Sequence, residues 1–166
     1  MRKQETIKLH SDVPMVVYEA NDEGKLVKTE KQFDFGRDTD KTFRLTEMSA
    51  MQLEKWHVKM LSLMKESLAK VADDVMETWK EHSATLAFAS LSNRSVSDAD
   101  KYIDLLNEHL YCYEIFDKER GEYVRLNAEN INDYIDEVQT LQYLRDRAAQ
   151  FNIADFTKGN PSSSLK

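Results

Sequence analysis

A chain of 166 residues, 41% hydrophobic and 32% charged, is long enough for one globular domain that needs neither a disulfide nor a metal to fold. Its formal net charge of −7, with no compensating basic run, disfavours a nucleic-acid partner, because an acidic surface repels phosphate. No apolar stretch approaches the ~20 residues that span a bilayer, and MRKQETIKLHSDV at the start lacks a signal-peptide core. With a single cysteine, Cys112, the chain is expected in a reducing cytoplasm.

Residues 13–31 read as a β-hairpin: Val13, Val16, Val17 and Tyr18 favour a strand, Asn21–Gly24 supply the turn, and Leu26 and Val27 begin the return. The stretch 33–42 reads as a polar loop in which Asp34, Asp38 and Asp40 are solvated turn residues. They lack the spacing and the closing glutamate of an EF-hand. Phe43–Leu45 reads as a short strand. Ser49, with Gln52 three residues on, is a capping box that starts a long helix near Ala50.

In that helix Leu53, Trp56, Met60, Met64, Leu68, Val71 and Val75 share one face at 100° per residue. A second stripe of Met51, Val58, Leu61, Met76 and Trp79 widens the apolar arc to roughly 200°. Five of the seven methionines fall between residues 48 and 76, and thioethers adapt to irregular partners. Met48, Met51, Val58, Met76 and Trp79 are therefore the expected partner-binding residues.

Further on, 81–91 carries another helical stretch, and Ser97 with Asp98 and Asp100 begins a helix that presents Tyr102, Ile103, Leu106 and Leu110. Residues 111–116 and 123–126 form a second hairpin about Gly121. Asn127 is expected to cap a last helical region running from Ile131 to Phe151, before a small polar tail at 157–166.

Catalytic and metal chemistry find little support. Glu54 and His57 have the Glu-x-x-His spacing of helical di-iron proteins, but such sites need a second pair and two further glutamates. None of His10, His82 or His109 supplies the second pair. His109-x-x-Cys112 has zinc-like spacing without a partner pair. There is no Gly-x-Ser-x-Gly elbow, and four glycines in all leave no phosphate-cradling loop. The expectation is a protein that is not an enzyme and carries no catalytic residue, cofactor or metal.

Thr42-Phe-Arg-Leu-Thr-Glu-Met-Ser-Ala50, followed by Glu54-Lys-Trp56, resembles the "F-x-[IL]-x-E-M-[PS]-A … E-x-W-A" block of tail assembly chaperones from long-tailed bacteriophages. Downstream, 97–108 resembles their "W-E-D-A-K-P-L-L-D-E" segment, Leu110–Tyr113 their step into a strand, and 124–145 their "v-R-x-L … dI-E-E-x-x-T-x-x-x-L-R" ending. The likeness covers about residues 42–156. His57 stands where the family has a small residue, and the hairpin at 13–31 has no counterpart.

The resemblance implies a chaperone of the host cytoplasm that binds the tape measure protein, helps recruit the tail tube protein, associates with itself and is absent from the virion. Leu45, Glu47, Ala50, Glu54 and Trp56 would be its structural motif. The expected fold is mainly α (α+β), divided into an N-terminal hairpin and loop (1–41), a helical domain (42–156) and the tail. A small acidic regulatory or inhibitory phage protein of the DNA-mimic type is the alternative, but the mixed signs of the surface charges disfavour it.

Overall fold

The computed structural model describes residues 1–10, 13–23, 25–68 and 96–158. In chain order the elements are β1 (Gln4–Lys8), β2 (Val13–Ala20), β3 (Leu26–Phe33), a 3-10 turn at Gly36–Asp38, β4 (Thr42–Thr46) and α1 (Ala50–Leu68). There follow α2 (Val96–Asn107), a 3-10 turn at Leu110–Cys112, β5 (Tyr113–Asp117), β6 (Glu122–Arg125), α3 (Ile131–Tyr134) and α4 (Val138–Lys158).

The expectation of a mainly helical fold is corrected. Among the described residues helix accounts for 42% and strand for 28%, with a four-stranded antiparallel sheet of order β1-β4-β5-β6 at the centre. The second hairpin is not an appendage, because β5 lies against β4 with Phe43 opposite Ile115 and Leu45 opposite Tyr113. On the other side β1 pairs with β4, Ile7 opposite Phe43 and Glu5 opposite Leu45. A boundary between residues 41 and 42 therefore runs between two hydrogen-bonded strands. β1 escapes a reading of the sequence because Ile7 is the only buried side chain among its five residues. With one apolar residue there is no alternation to detect.

Along β4 the burial alternates, Phe43 and Leu45 inward and Thr42, Arg44 and Thr46 outward, as the period of two requires. The inward face meets α4. Phe43, Leu45, Tyr113, Ile115, Leu126, Leu144 and Ala148 form one cluster with Ile7, Leu9, Phe33, Phe35 and Met15. Tyr113 is fully buried, and its hydroxyl donates to the Leu144 carbonyl at 2.8 Å, which satisfies the one polar atom such a ring brings into a core.

The β2–β3 hairpin forms in the expected place, with Ala20 opposite Leu26. The Asn21 side-chain oxygen closes its turn by accepting the amides of Glu23 and Lys25. Met15 and Phe33 tie its base into the core. The last helical region is interrupted, which is a second correction. Asn127 closes the turn ahead of α3 by accepting the amides of Glu129 and Asn130, whereas the N-cap position is Asn130, without a side-chain cap; Ile135 is extended (φ −120°, ψ 119°) and a new helix starts at Val138.

Candidate functional site

Helix α1 is held at its start and along one side. The Ser49 amide donates to Gln52 Oε1 at 3.1 Å and the Gln52 amide to Ser49 Oγ at 3.3 Å, so the expected capping box closes in both directions. One turn on, Trp56 is completely buried, and its indole N–H donates to the Leu105 carbonyl at 3.1 Å near the end of α2. The ring also meets His109 edge-on at 4.1 Å between centroids. Lys59 faces Glu108 at 3.8 Å on the same side.

Spacing then decides what is left outside. Met51 and Val58 lie seven residues apart and more than 100° around the helix from Trp56. They remain 69% and 59% exposed. They are the two expected partner-binding residues that the structure places on one open face.

Met48 belongs elsewhere. It is buried, and its amide donates to Asn152 Oδ1 at 2.8 Å, while Asn152 Nδ2 returns to the Ala148 carbonyl within α4. The expectation of Met48 as a surface contact residue is therefore corrected. Met76 and Trp79 lie outside the described residues, as does the expected helix at 81–91.

Of the motif residues, Leu45 is core. Glu47 accepts the Lys3 amide at 2.9 Å and donates its own amide to the Lys3 carbonyl, extending the β1–β4 ladder. Ala50 and Glu54 are exposed on the first turns of α1, and Trp56 is core. Among the described residues no group of three or more His, Cys, Asp or Glu is placed to hold a metal.

His109 is fully buried, and neither ring nitrogen has a hydrogen-bond partner among the described residues. Burial pushes its pKa from the ordinary 6.5 down to about 3, so the ring is neutral at physiological pH. The sequence shows His109 as a possible ligand of zinc-like spacing. In the fold it is instead a packing residue against Trp56.

A second feature was not expected. The loop at 34–41 is latched onto the start of α4, and Asp38 is the pin. Its side chain is buried, one oxygen taking Lys41 Nζ at 2.6 Å and the other the Glu137 amide at 2.9 Å, with the Asp136 amide at 3.1 Å. Burial alone would raise the Asp38 carboxyl, but the Lys41 ammonium and the two amides outweigh it and hold the group below the usual carboxylate range.

A negative charge at a helix N-terminus also suits the dipole. Arg37 completes the latch, its Nε–H donating to Glu137 Oε1 at 2.8 Å and a terminal N–H to the Asp136 carbonyl. Lys41 also donates to the Tyr134 carbonyl at 2.7 Å. Asp38 therefore corrects the reading of a solvated turn. The signal that could have found it is the pairing of Asp38 and Lys41 with the acidic Asp136-Glu137 step, which marks a helix start within an apparently continuous pattern.

The outward face of the sheet carries Arg44, whose Nε–H donates to Glu114 at 2.7 Å and whose guanidinium lies 4.2 Å over the Tyr123 ring. Tyr123 in turn meets Phe116 edge-on at 5.3 Å. At one end of this face a cleft of about 340 Å³ opens among the N-terminal residues, the approach to α1 and the 3-10 turn before β5. No helix among the described residues is long and apolar enough to cross a membrane. Comparison with known proteins finds no matching family model, no matching curated protein and no matching solved structure.

Proposed function

We propose that this chain is a tail assembly chaperone of a long-tailed bacteriophage. It would act in the host cytoplasm on the tape measure protein and help to recruit the tail tube protein. The ordered resemblance over residues 42–156 supports the reading. The structural observation that carries it is the way α1 is mounted. Trp56 fixes one side of the helix in the core while Met51 and Val58 stand 69% and 59% exposed on the other.

Seven helical residues span about 10 Å, and the exposed Glu54 and Lys55 lie between the pair, so Met51 and Val58 are two apolar contacts two turns apart with charges between them. An amphipathic client helix also presents apolar contacts at helical spacing, which this pair can meet. Methionine adds adaptability to the fit. The net charge of −7 keeps the complex in solution once the client's stripes are covered. Self-association would then supply avidity along a long client.

The experiment is co-expression with a phage tape measure protein. The client stays soluble and co-purifies if the reading holds, and M51D/V58D releases it while the chaperone's melting temperature is unchanged. An insoluble client with no complex, or a complex indifferent to M51D/V58D, overturns it.

A further inference from the structure

The cleft beside the sheet has an unusual balance of charge. Its acidic groups are all engaged. Glu47 Oε1 accepts the Lys3 amide at 2.9 Å, Glu114 takes the Arg44 guanidinium at 2.7 Å, and Glu108 faces Lys59 at 3.8 Å. Its basic groups are not. Arg2 reaches only the Glu47 carbonyl oxygen, at 3.5 Å, and the Arg125 side chain makes no hydrogen bond or ion pair among the described residues.

Arg2, Arg125 and Cys112 line the same cleft. Burial pushes the Cys112 thiol up to about 11, with Arg125 and Arg2 pulling against the rise and Glu108 adding to it. Both arginines are exposed, and in a chain of net charge −7 two cations lining one cleft without a carboxylate partner among the described residues are a feature that an anionic group can use.

Guanidinium groups hold carboxylates through paired N–H donors in a fixed plane. A phosphate dianion would meet Glu47, Glu108 and Glu114 around the same cleft, whereas a single carboxylate would not carry the second charge they repel. The glutamates suit the other half of such a ligand, since their remaining lone pairs accept N–H groups. The volume of about 340 Å³ lies at the lower end of small-ligand sites and admits one or two side chains.

We propose that this cleft binds a carboxylate flanked by an N–H donor, with Arg2 and Arg125 clamping the acid and Glu47 and Glu108 accepting the neighbouring N–H. That chemistry belongs both to an acidic residue in a peptide and to a free N-acyl amino acid. The site stands whether or not the chain is a chaperone.

Cys112 is the only cysteine in the chain and lines the cleft, so its alkylation reports occupancy. The rate with neutral iodoacetamide is measured against N-acetylaspartate, a blocked Glu-containing tripeptide and inorganic phosphate, all at one pH and matched ionic strength. Half-protection is expected on the order of 1 mM. The carboxylates are expected to slow labelling saturably. R125Q is expected to weaken protection about tenfold, and K118Q, on the exposed β5–β6 turn, to leave it intact.

A tripeptide that protects at lower concentration than N-acetylaspartate supports the site and assigns it to a protein segment, while equal protection supports it and assigns a small acid. Absent or unsaturable protection, equal protection by phosphate, or an unaltered response in R125Q overturns the proposal.

Discussion

Acidification from pH 7 to pH 5 should weaken this fold through His109. His109 is fully buried, is pressed edge-on against Trp56 and has no hydrogen-bond partner on either ring nitrogen among the described residues. Its folded pKa of about 3 lies below the ordinary 6.5, so between these values the unfolded chain binds a proton that the folded chain refuses. The stability from keeping the ring neutral is complete above pH 6.5 and is lost progressively as pH falls toward 3. At pH 5 the difference is about 1.5 pH units below the unfolded value, or about 2 kcal/mol at 1.36 kcal/mol per unit.

Carboxylates enter later. Asp38 and Asp117 are held below the usual 3.8, so their contributions are present above that value and are lost only in more acid solution. Urea unfolding followed by tryptophan fluorescence reads the effect directly. With a slope near 2 kcal/mol per molar, the wild-type midpoint moves down by about 1 M between pH 7 and pH 5. H109L removes the titrating ring and two unsatisfied nitrogens at the cost of one aromatic contact. It should be about 1 kcal/mol more stable at pH 7 and should lose about 2 kcal/mol less on acidification. A variant that follows the wild-type acid curve would show that another group titrates and that His109 is not sealed from water.

Trp56→Ala should cost about 3–5 kcal/mol in the same urea assay, because it empties a fully buried site and removes the indole hydrogen bond to the Leu105 carbonyl, whereas M51D and V58D should change stability by less than about 0.5 kcal/mol. Asp38→Asn should cost about 3 kcal/mol, since it removes the anion that pairs with Lys41 at 2.6 Å; a loss below about 0.5 kcal/mol would mean that the latch is ornamental. Gly121→Ala meets open space at φ +70° and should cost about 1–2 kcal/mol from the left-handed backbone alone. Gly36→Ala carries the same strain at φ +51° and also brings its Cβ to 3.0 Å from Glu137 Oε1, so the reasoning fails if its thermal midpoint falls less than that of Gly121→Ala.

How much of this was legible depended on whether a residue's role is set by its neighbours in the chain. The β2–β3 turn at Asn21, the Ser49–Gln52 box and the Gly121 turn are local, and the residues themselves contain the hydrogen-bonding logic. β1 and the latch are not local. Ile7 gains its meaning from Phe43, 36 positions on, and Asp38 from amides nearly 100 positions away. A short polar strand and an aspartate in a loop look the same whether solvated or buried, because burial is decided by what arrives from elsewhere. Met48 failed for the same reason, since at the sequence level nothing distinguishes it from Met51.

That contrast bears on what the resemblance over residues 42–56 can mean. Phe43, Leu45, Met48 and Trp56 all point inward, into the sheet, the α1–α4 joint and the α1–α2 contact. Glu47 is spent on the β1 backbone. The block thus encodes how α1 is launched from β4 and seated, and a protein sharing it shares that mounting. On the function proposed above, client selectivity would come from exposed positions that the block does not use, above all Met51, between the inward Met48 and Trp56, and Val58, two residues past the block's end. If the proposed function holds, exchanging Met51 and Val58 with a tail assembly chaperone should exchange clients without moving the melting temperature, whereas exchanging Met48 and Trp56 should move the melting temperature and leave the choice of client alone.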